Sequence, residues 1–177
     1  MASGAQTRYL FDSARSCIWV SGRSNLHPIN TETRGVTGWF ASSTRADGSL
    51  ELDQRISGQL ELAVERLTSG NRLYDRELRR RVDARRYPTI LGRLSGVSAN
   101  GAPPDYVVSG EITFHGKTLT FAHPMRIVVD ATSVTLCGES TFDIRRFGMT
   151  PPSMLMVRLY PEVTVRIELF GTVEEPD

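Results

Sequence analysis

Three histidines, two cysteines and a run of arginines are the groups with which this chain could do chemistry, so their spacing is the first question. His27, His115 and His123 do not fall at the short intervals that present ligands to zinc, and no C-x-x-C surrounds Cys17 or Cys137. No metal and no cofactor are expected, and the cysteines read as small apolar side chains. No serine or cysteine stands in a nucleophile motif, and no glycine-rich loop opens a helix to cradle phosphate. His115 precedes Gly116 and His123 precedes Pro124, turn-like settings in which a structural hydrogen bond is the ordinary role. No catalytic residue is expected, and the chain reads as a binding protein rather than an enzyme.

The arginines are the stronger signal: seven stand between Asn71 and Arg86. Guanidinium groups bind phosphate or carboxylate in a fork, so such a run could hold nucleic acid or an anionic head group. The whole chain argues against nucleic acid, because 21 Lys+Arg against 20 Asp+Glu leave a net charge of +1 and no long-range field. Lys117 is the only lysine, so the abundance of arginine is a bias of the entire sequence. Tyr74, Leu78 and Val82 follow at i, i+4 and i+8, which predicts a helix over 72–83 with an apolar stripe. Asn71 is placed to cap it, Asp75–Arg79 and Glu77–Arg81 can pair along it, and Tyr87-Pro88 ends it. This is a helix that lies on something, with ion pairs of about 0.2–0.5 kcal/mol each on its wet face.

What it lies on is a sheet. Period-two alternation recurs through the chain: Leu60, Leu62 and Val64 against Gln59, Glu61 and Glu65; Tyr106, Val108, Ile112 and Phe114 on one parity; Val163, Val165, Ile167 and Leu169 against Thr164, Arg166 and Glu168. Asp47-Gly48, the cluster Ala99 to Asp105 and His115-Gly116 are turn signals between such segments. Short turns predict that neighbouring strands pair in sequence order. About eight strands and one helix predict an all-β domain over 1–177, with tails at 1–7 and 174–177. Closure into an extended antiparallel up-and-down β-barrel removes both sheet edges.

Parity then gives the wall of the lumen: Ile18, Val20, Phe40, Leu60, Leu62, Val64, Ile90, Leu94, Val108, Ile112, Phe121, Ile127, Val129, Val134, Leu136, Val165 and Ile167. Leu78 and Val82 of the helix, with Met154 and Met156 from the segment after Phe147, can join them near an entrance. Arg76, Arg79 and Arg80 could then meet a phosphate or carboxylate head group. Parity alone leaves open whether these apolar residues surround a cavity or meet as a dry core.

Four short motifs stand in a fixed order along the chain. Ser69-Gly70-Asn71, Asp75, Leu78 and Tyr87-Pro88-Thr89-Ile90 form the central one, and Gly110 to His115-Gly116-Lys117-Thr118 a second. Asp12 with Ser16, and Arg145-Arg146-Phe147-Gly148, complete the set. Together they resemble the signature of the YceI-like family, and the resemblance runs from about Tyr9 to Val173. It implies a lipocalin-like barrel whose lumen binds, carries or sequesters an isoprenoid or fatty acyl chain, often as a homodimer and without catalysis. Glu77 stands where the family's helix carries a histidine.

Two further readings follow from the residues. A filled barrel would make the chain a protein-interaction module with Trp19, Trp39 and the arginine face as its contact surface. Nucleic-acid binding through the helix is the third, and the balanced charge disfavours it. The N-terminus MASGAQTRYLFD has no secretion-signal pattern and no run approaches a membrane span, so a soluble cytoplasmic location without membrane insertion is expected.

Overall fold

A computed structural model describes residues 5–151, 153–154 and 156–175, without the side chain of Met154. The strands are β1 (Thr7–Phe11), β2 (Cys17–Ser24), β3 (Pro28–Thr33), β4 (Thr37–Ser42), β5 (Ser57–Ala63), β6 (Thr89–Ala99), β7 (Asp105–Phe114), β8 (Lys117–Val129), β9 (Ser133–Asp143), β10 (Ser153–Met154) and β11 (Val157–Val173). The helix α1 spans Arg72–Arg81, and 3-10 turns cover Val64–Arg66 and Ile144–Phe147.

Eight strands close an antiparallel barrel in the order β1-β4-β5-β6-β7-β8-β9-β11, and β1 completes the ring against β11 through Tyr9↔Val173 and Phe11↔Gly171. The expected neighbour-by-neighbour pairing holds from β4 to β9 and fails at the N-terminus. There β1 pairs with β4 and β11, while β2 and β3 form a hairpin that adds to the other part of β11. The length of β11 is the cause: its 17 residues reach well past what β1 covers, and β2 pairs Leu159 to Glu168 instead. The crossing from β1 to β2 is pinned by Asp12 and Ser16. The Asp12 carboxylate accepts from the amides of Ala14 and Arg15, and Ser16, fully buried, exchanges hydrogen bonds with the backbone of Phe170.

The two barrel ends differ. At one, the loop over residues 43–56 sends Leu50 and Ile56 into the core beside Tyr9, Tyr106 and Val134, and the Leu50 amide donates to the Tyr106 hydroxyl at 3.1 Å. This end is plugged. At the other, α1 leads from β5 back to β6, with Asn71 Oδ1 accepting from the amides of Leu73 and Tyr74 as the cap. Here also lie the second and fourth motifs. His115 Nδ1 is 3.0 Å from the Phe147 carbonyl oxygen, and the His115 and Tyr87 rings pack at 4.9 Å. A Cβ on Gly116 would come within 2.8 Å of the Tyr87 ring, at a φ of +71°, so glycine is required there. Three motifs that are distant in sequence thus form one knot that ties β6, the β7–β8 turn and the turn after β9.

Cys17 and Cys137 face Glu168 from opposite sides of β11, two strand spacings or roughly 10 Å apart, too far for a disulfide. Burial pushes both thiols up from the usual cysteine range.

Candidate ligand-binding site

Between the plug and the helix lies a cavity of about 390 Å³, within the range of sites that enclose a small hydrophobic molecule. Ile18, Val20, Phe40, Leu60, Leu62, Ile90, Leu94, Val108, Ile112, Phe121, Leu136, Val165 and Ile167 all border it, as parity proposed, and Leu78 and Val82 border it from α1. Alternation explains the agreement, because every second residue of a barrel strand points inward. The remaining proposed residues lie elsewhere. Val134 and Ile127 are buried and Val129 half-buried at the plugged end, on the strands joined by the 129–133 turn, where Leu50 and Tyr106 occupy the space. Val64 is buried in a 3-10 turn rather than on β5, because its amide donates to the Pro88 carbonyl. Met156 is 83 % exposed, and the Met154 side chain lies outside the described residues.

What parity overlooked is why the lumen is open. Gly22, Gly58, Gly92 and Gly138 share the inward face with the large apolar residues, and each leaves out a side chain. The register Leu60↔Gly92↔Ile112 sets the smallest residue between two branched ones across three adjacent strands. A bulge in β6 between Leu94 and Gly96 then reverses parity, so that Val97 rather than Gly96 lies opposite Val108. The alternation contains both signals, but a search for apolar side chains passes over glycine.

The lumen has one aromatic niche with a polar centre. His123 stacks on Phe121 at 6.0 Å and meets the edge of Phe142 at 5.5 Å, and all three border the cavity. It is not the structural turn residue expected, because β8 runs straight through it from Lys117 to Val129.

The helix covers the other side of the cavity with Tyr74, Leu78 and Val82, the predicted stripe. Its ion pairs differ from those read in the sequence. Glu77 accepts from Arg81 at 2.7 Å, as expected, and also from Arg80 at 2.8 Å. Asp75 turns inward instead of pairing with Arg79 and accepts from the Ser69 amide at 2.8 Å, the Ser69 hydroxyl at 2.7 Å and the Thr68 hydroxyl at 2.8 Å. Burial pushes the Asp75 carboxyl up, but these hydrogen bonds together outweigh it and hold the group below the usual carboxylate range. Arg79 donates to the Glu65 carbonyl at 3.1 Å, while Arg76 has no ionic or hydrogen-bonding partner among the described residues.

Hydrogen bonds from Arg80 and then Arg81 draw the Glu77 carboxyl down from 4.5 to about 2. A carboxyl lowered on folding contributes stability that is complete above its unfolded value and is lost as pH falls through the folded one. The thermal unfolding midpoint should therefore fall as pH drops from about 4.5 to about 2. Glu77→Gln should show a shallower decline in that window, and an identical decline would remove Glu77 from the explanation.

Among the described residues, no group of three or more His, Cys, Asp or Glu side chains is arranged to hold a metal ion. A closed antiparallel barrel whose apolar lumen opens beneath a helix defines the class of lipocalin-like barrels. The family follows from the sequence itself: the YceI-like domain model matches residues 9–170, and the chain belongs to that family. Solved structures share the fold at low identity. BcnA of Burkholderia cenocepacia superposes with a TM-score of 0.75 at 18 % identity, over 90 % of this chain and 98 % of that one. A polyisoprenoid-binding domain from Saccharophagus degradans, implicated in plant cell wall breakdown, gives 0.70 at 12 % identity over 94 % and 98 %. The YCEI protein of Campylobacter jejuni gives 0.62 at 11 % identity over 86 % and 85 %. No curated protein matches the sequence. No helix among the described residues is long and apolar enough to cross a membrane.

Proposed function

We propose that the barrel binds one long apolar chain, an isoprenoid or a fatty acyl derivative, and carries or sequesters it away from water. The observation that supports this most is the open lumen, walled by aliphatic side chains on β5, β6, β7 and β11 and kept clear by inward glycines. Each CH₂ moved from water to such a wall contributes about 0.8 kcal/mol, so affinity needs no polar contact. The Saccharophagus domain of the same fold is described as polyisoprenoid-binding, which agrees with this ligand class. Among the described residues the wall is largely apolar, which suits holding a chain rather than transforming it.

Native mass spectrometry of the purified protein, followed by organic extraction, tests the proposal. A bound species with a hydrocarbon tail is expected. A mass equal to the bare chain, unchanged after incubation with polyprenyl phosphates and with fatty acids, would refute it.

Of the three arginines considered for an anionic head group, Arg80 is engaged by Glu77 and Arg79 by the Glu65 carbonyl. Arg76, exposed on the outer face of α1, is the one left for a head group that projects beyond the mouth. Arg76→Ala should weaken a polyprenyl phosphate roughly tenfold, the scale of one charge-assisted hydrogen bond. A neutral polyprenol should bind unchanged in a fluorescence displacement assay, and equal losses for both would remove the head-group contact.

A further inference from the structure

We infer that the helix end of the barrel is a docking face for an anionic lipid bilayer, which brings the mouth of the lumen to the membrane surface. The inference rests on the proposed binding of an apolar chain and adds where that chain is taken up and released. Six large apolar side chains are exposed among the described residues, and four of them, Leu26, Leu73, Met156 and Tyr160, belong to segments around the mouth. Leu26 is 63 % exposed, Leu73 55 % and Met156 83 %.

Hydrogen bonds hold these segments together. The Asn25 side chain donates to the Met156 carbonyl at 2.9 Å and accepts from the Arg158 amide at 2.6 Å, which joins the β2–β3 turn to the start of β11. In the same turn, His27 Nε2 lies 3.4 Å from the Tyr74 hydroxyl, which joins it to α1. The neighbouring residues Gly22, Ile29, Tyr74 and Leu159 border the cavity, so the apolar rim is continuous with the lumen. A rim of this kind on a soluble surface marks a site of association.

Charge selects the partner. Residues 22–29 and 153–161 carry Arg23 and Arg158 and no carboxylate. On α1, the face opposite Leu78 carries Leu73 with Arg76, unpartnered among the described residues, and with Arg80. Arg80 shares the Glu77 carboxylate with Arg81, so one net positive charge remains from those three, and Asp75 turns toward the cavity and is bonded to Ser69. The plugged end is the reverse: its loops and strand ends carry Asp47, Glu51, Asp53, Asp105, Asp130, Glu174 and Glu175 against Arg8, Arg45, Arg55 and Arg126. A chain of net charge +1 is thus polarised along the barrel axis, cationic and apolar at the mouth and acidic at the plug. That combination suits a surface of negative head groups with hydrocarbon just beneath, and it orients the barrel mouth-down.

The test is vesicle flotation of the full chain at low salt. Phosphatidylcholine vesicles are compared with vesicles in which about a third of the lipid is phosphatidylglycerol. Binding should rise about tenfold or more with the anionic lipid and fall as salt screens it. The triple variant Leu26→Glu, Leu73→Glu and Met156→Glu should lose about tenfold or more of that binding. Val128→Glu, at an exposed apolar position on β8 beside the plugged end, should lose none. Equal binding to both vesicles, a triple variant that floats like the parent, or an equal loss in Val128→Glu would each overturn the inference. Extraction and mass measurement of the same proteins reads the lumen separately. Lipid in the lumen without flotation refutes docking alone, and flotation that depends on the rim supports docking whether or not the lumen holds lipid.

Discussion

Gly92→Phe is expected to abolish uptake of a long apolar chain and to leave the barrel folded. Gly92 lies on the inward face of β6 between Leu60 and Ile112, and its backbone is not in the left-handed region that only glycine favours. A Cβ added there would find only Leu60, at 3.5 Å, an ordinary van der Waals contact, so a side chain can start at this position without moving the backbone. From there a phenyl ring has one direction to grow, into the cavity of about 390 Å³. If it displaces four or five CH₂ groups of the ligand, the loss is about 3–4 kcal/mol, or two to three powers of ten in affinity. Stability should be unchanged or higher, because glycine is a poor strand residue and the ring fills empty space. Gly110→Ala is the contrasting case on the same face. Its Cβ would stand 2.2 Å from the Arg93 carbonyl oxygen and 2.9 Å from the Phe121 ring, so the backbone must shift and the unfolding midpoint should drop. Ligand loss with an unchanged midpoint for Gly92→Phe, set against a lowered midpoint for Gly110→Ala, would show that the lumen holds the chain. A Gly92→Phe protein that retains the parent's bound lipid would place the ligand elsewhere.

The contrast between these two glycines shows what the sequence carried and what it did not. The alternation of β5, β7 and β11 placed Leu60, Ile112 and Val165 on the lumen wall, because parity is a local property of extended chain. Which part of that wall is open depends on residues far away. The loop over 43–56 plugs one end with Leu50, and no local pattern announces that Ile127 and Val134 will meet it. The placement of β2 and β3 is likewise set by the length of β11, a partner 135 to 151 residues along the chain. The stripe and cap of α1 are legible in its sequence, and the partner of Asp75 is not. Spacing allowed Asp75 to pair with Arg79, but a carboxylate that can reach three donors at the preceding turn gains more from them than from one solvated guanidinium. The four motifs proved to be structural ties: one clips β1 and β2 to β11, and three meet around the helix end of the barrel.

Asp75 carries the second large expectation. It is 8 % exposed, and its carboxylate accepts the three shortest hydrogen bonds that join the helix to Thr68 and Ser69, beside a longer one of 3.4 Å from the Ser69 hydroxyl to the carbonyl of the Asn71 cap. Asp75→Ala would leave the Ser69 amide and two hydroxyls to compete for water at a half-buried site. Loss of a charged acceptor with several donors costs about 2–4 kcal/mol, and water reaching Ser69 would reduce this toward the lower figure. Asp75→Asn keeps an acceptor but aims an NH₂ group at donors, so it should fall between the parent and alanine. Urea unfolding measures the total. Hydrogen exchange should find the loss concentrated in α1 and the adjoining turn rather than in β7 or β8, since the tether joins elements at one end only. The sign with pH is fixed by the lowered carboxyl: the contribution is whole above the unfolded value of about 3.9 and disappears as pH falls through the lower folded one. Because Leu78 and Val82 roof the cavity from the helix that Asp75 secures, the same substitution should speed release of a bound chain while leaving the aliphatic wall intact. An Asp75→Ala protein with parental stability and parental release would mean that the apolar stripe alone holds the helix in place.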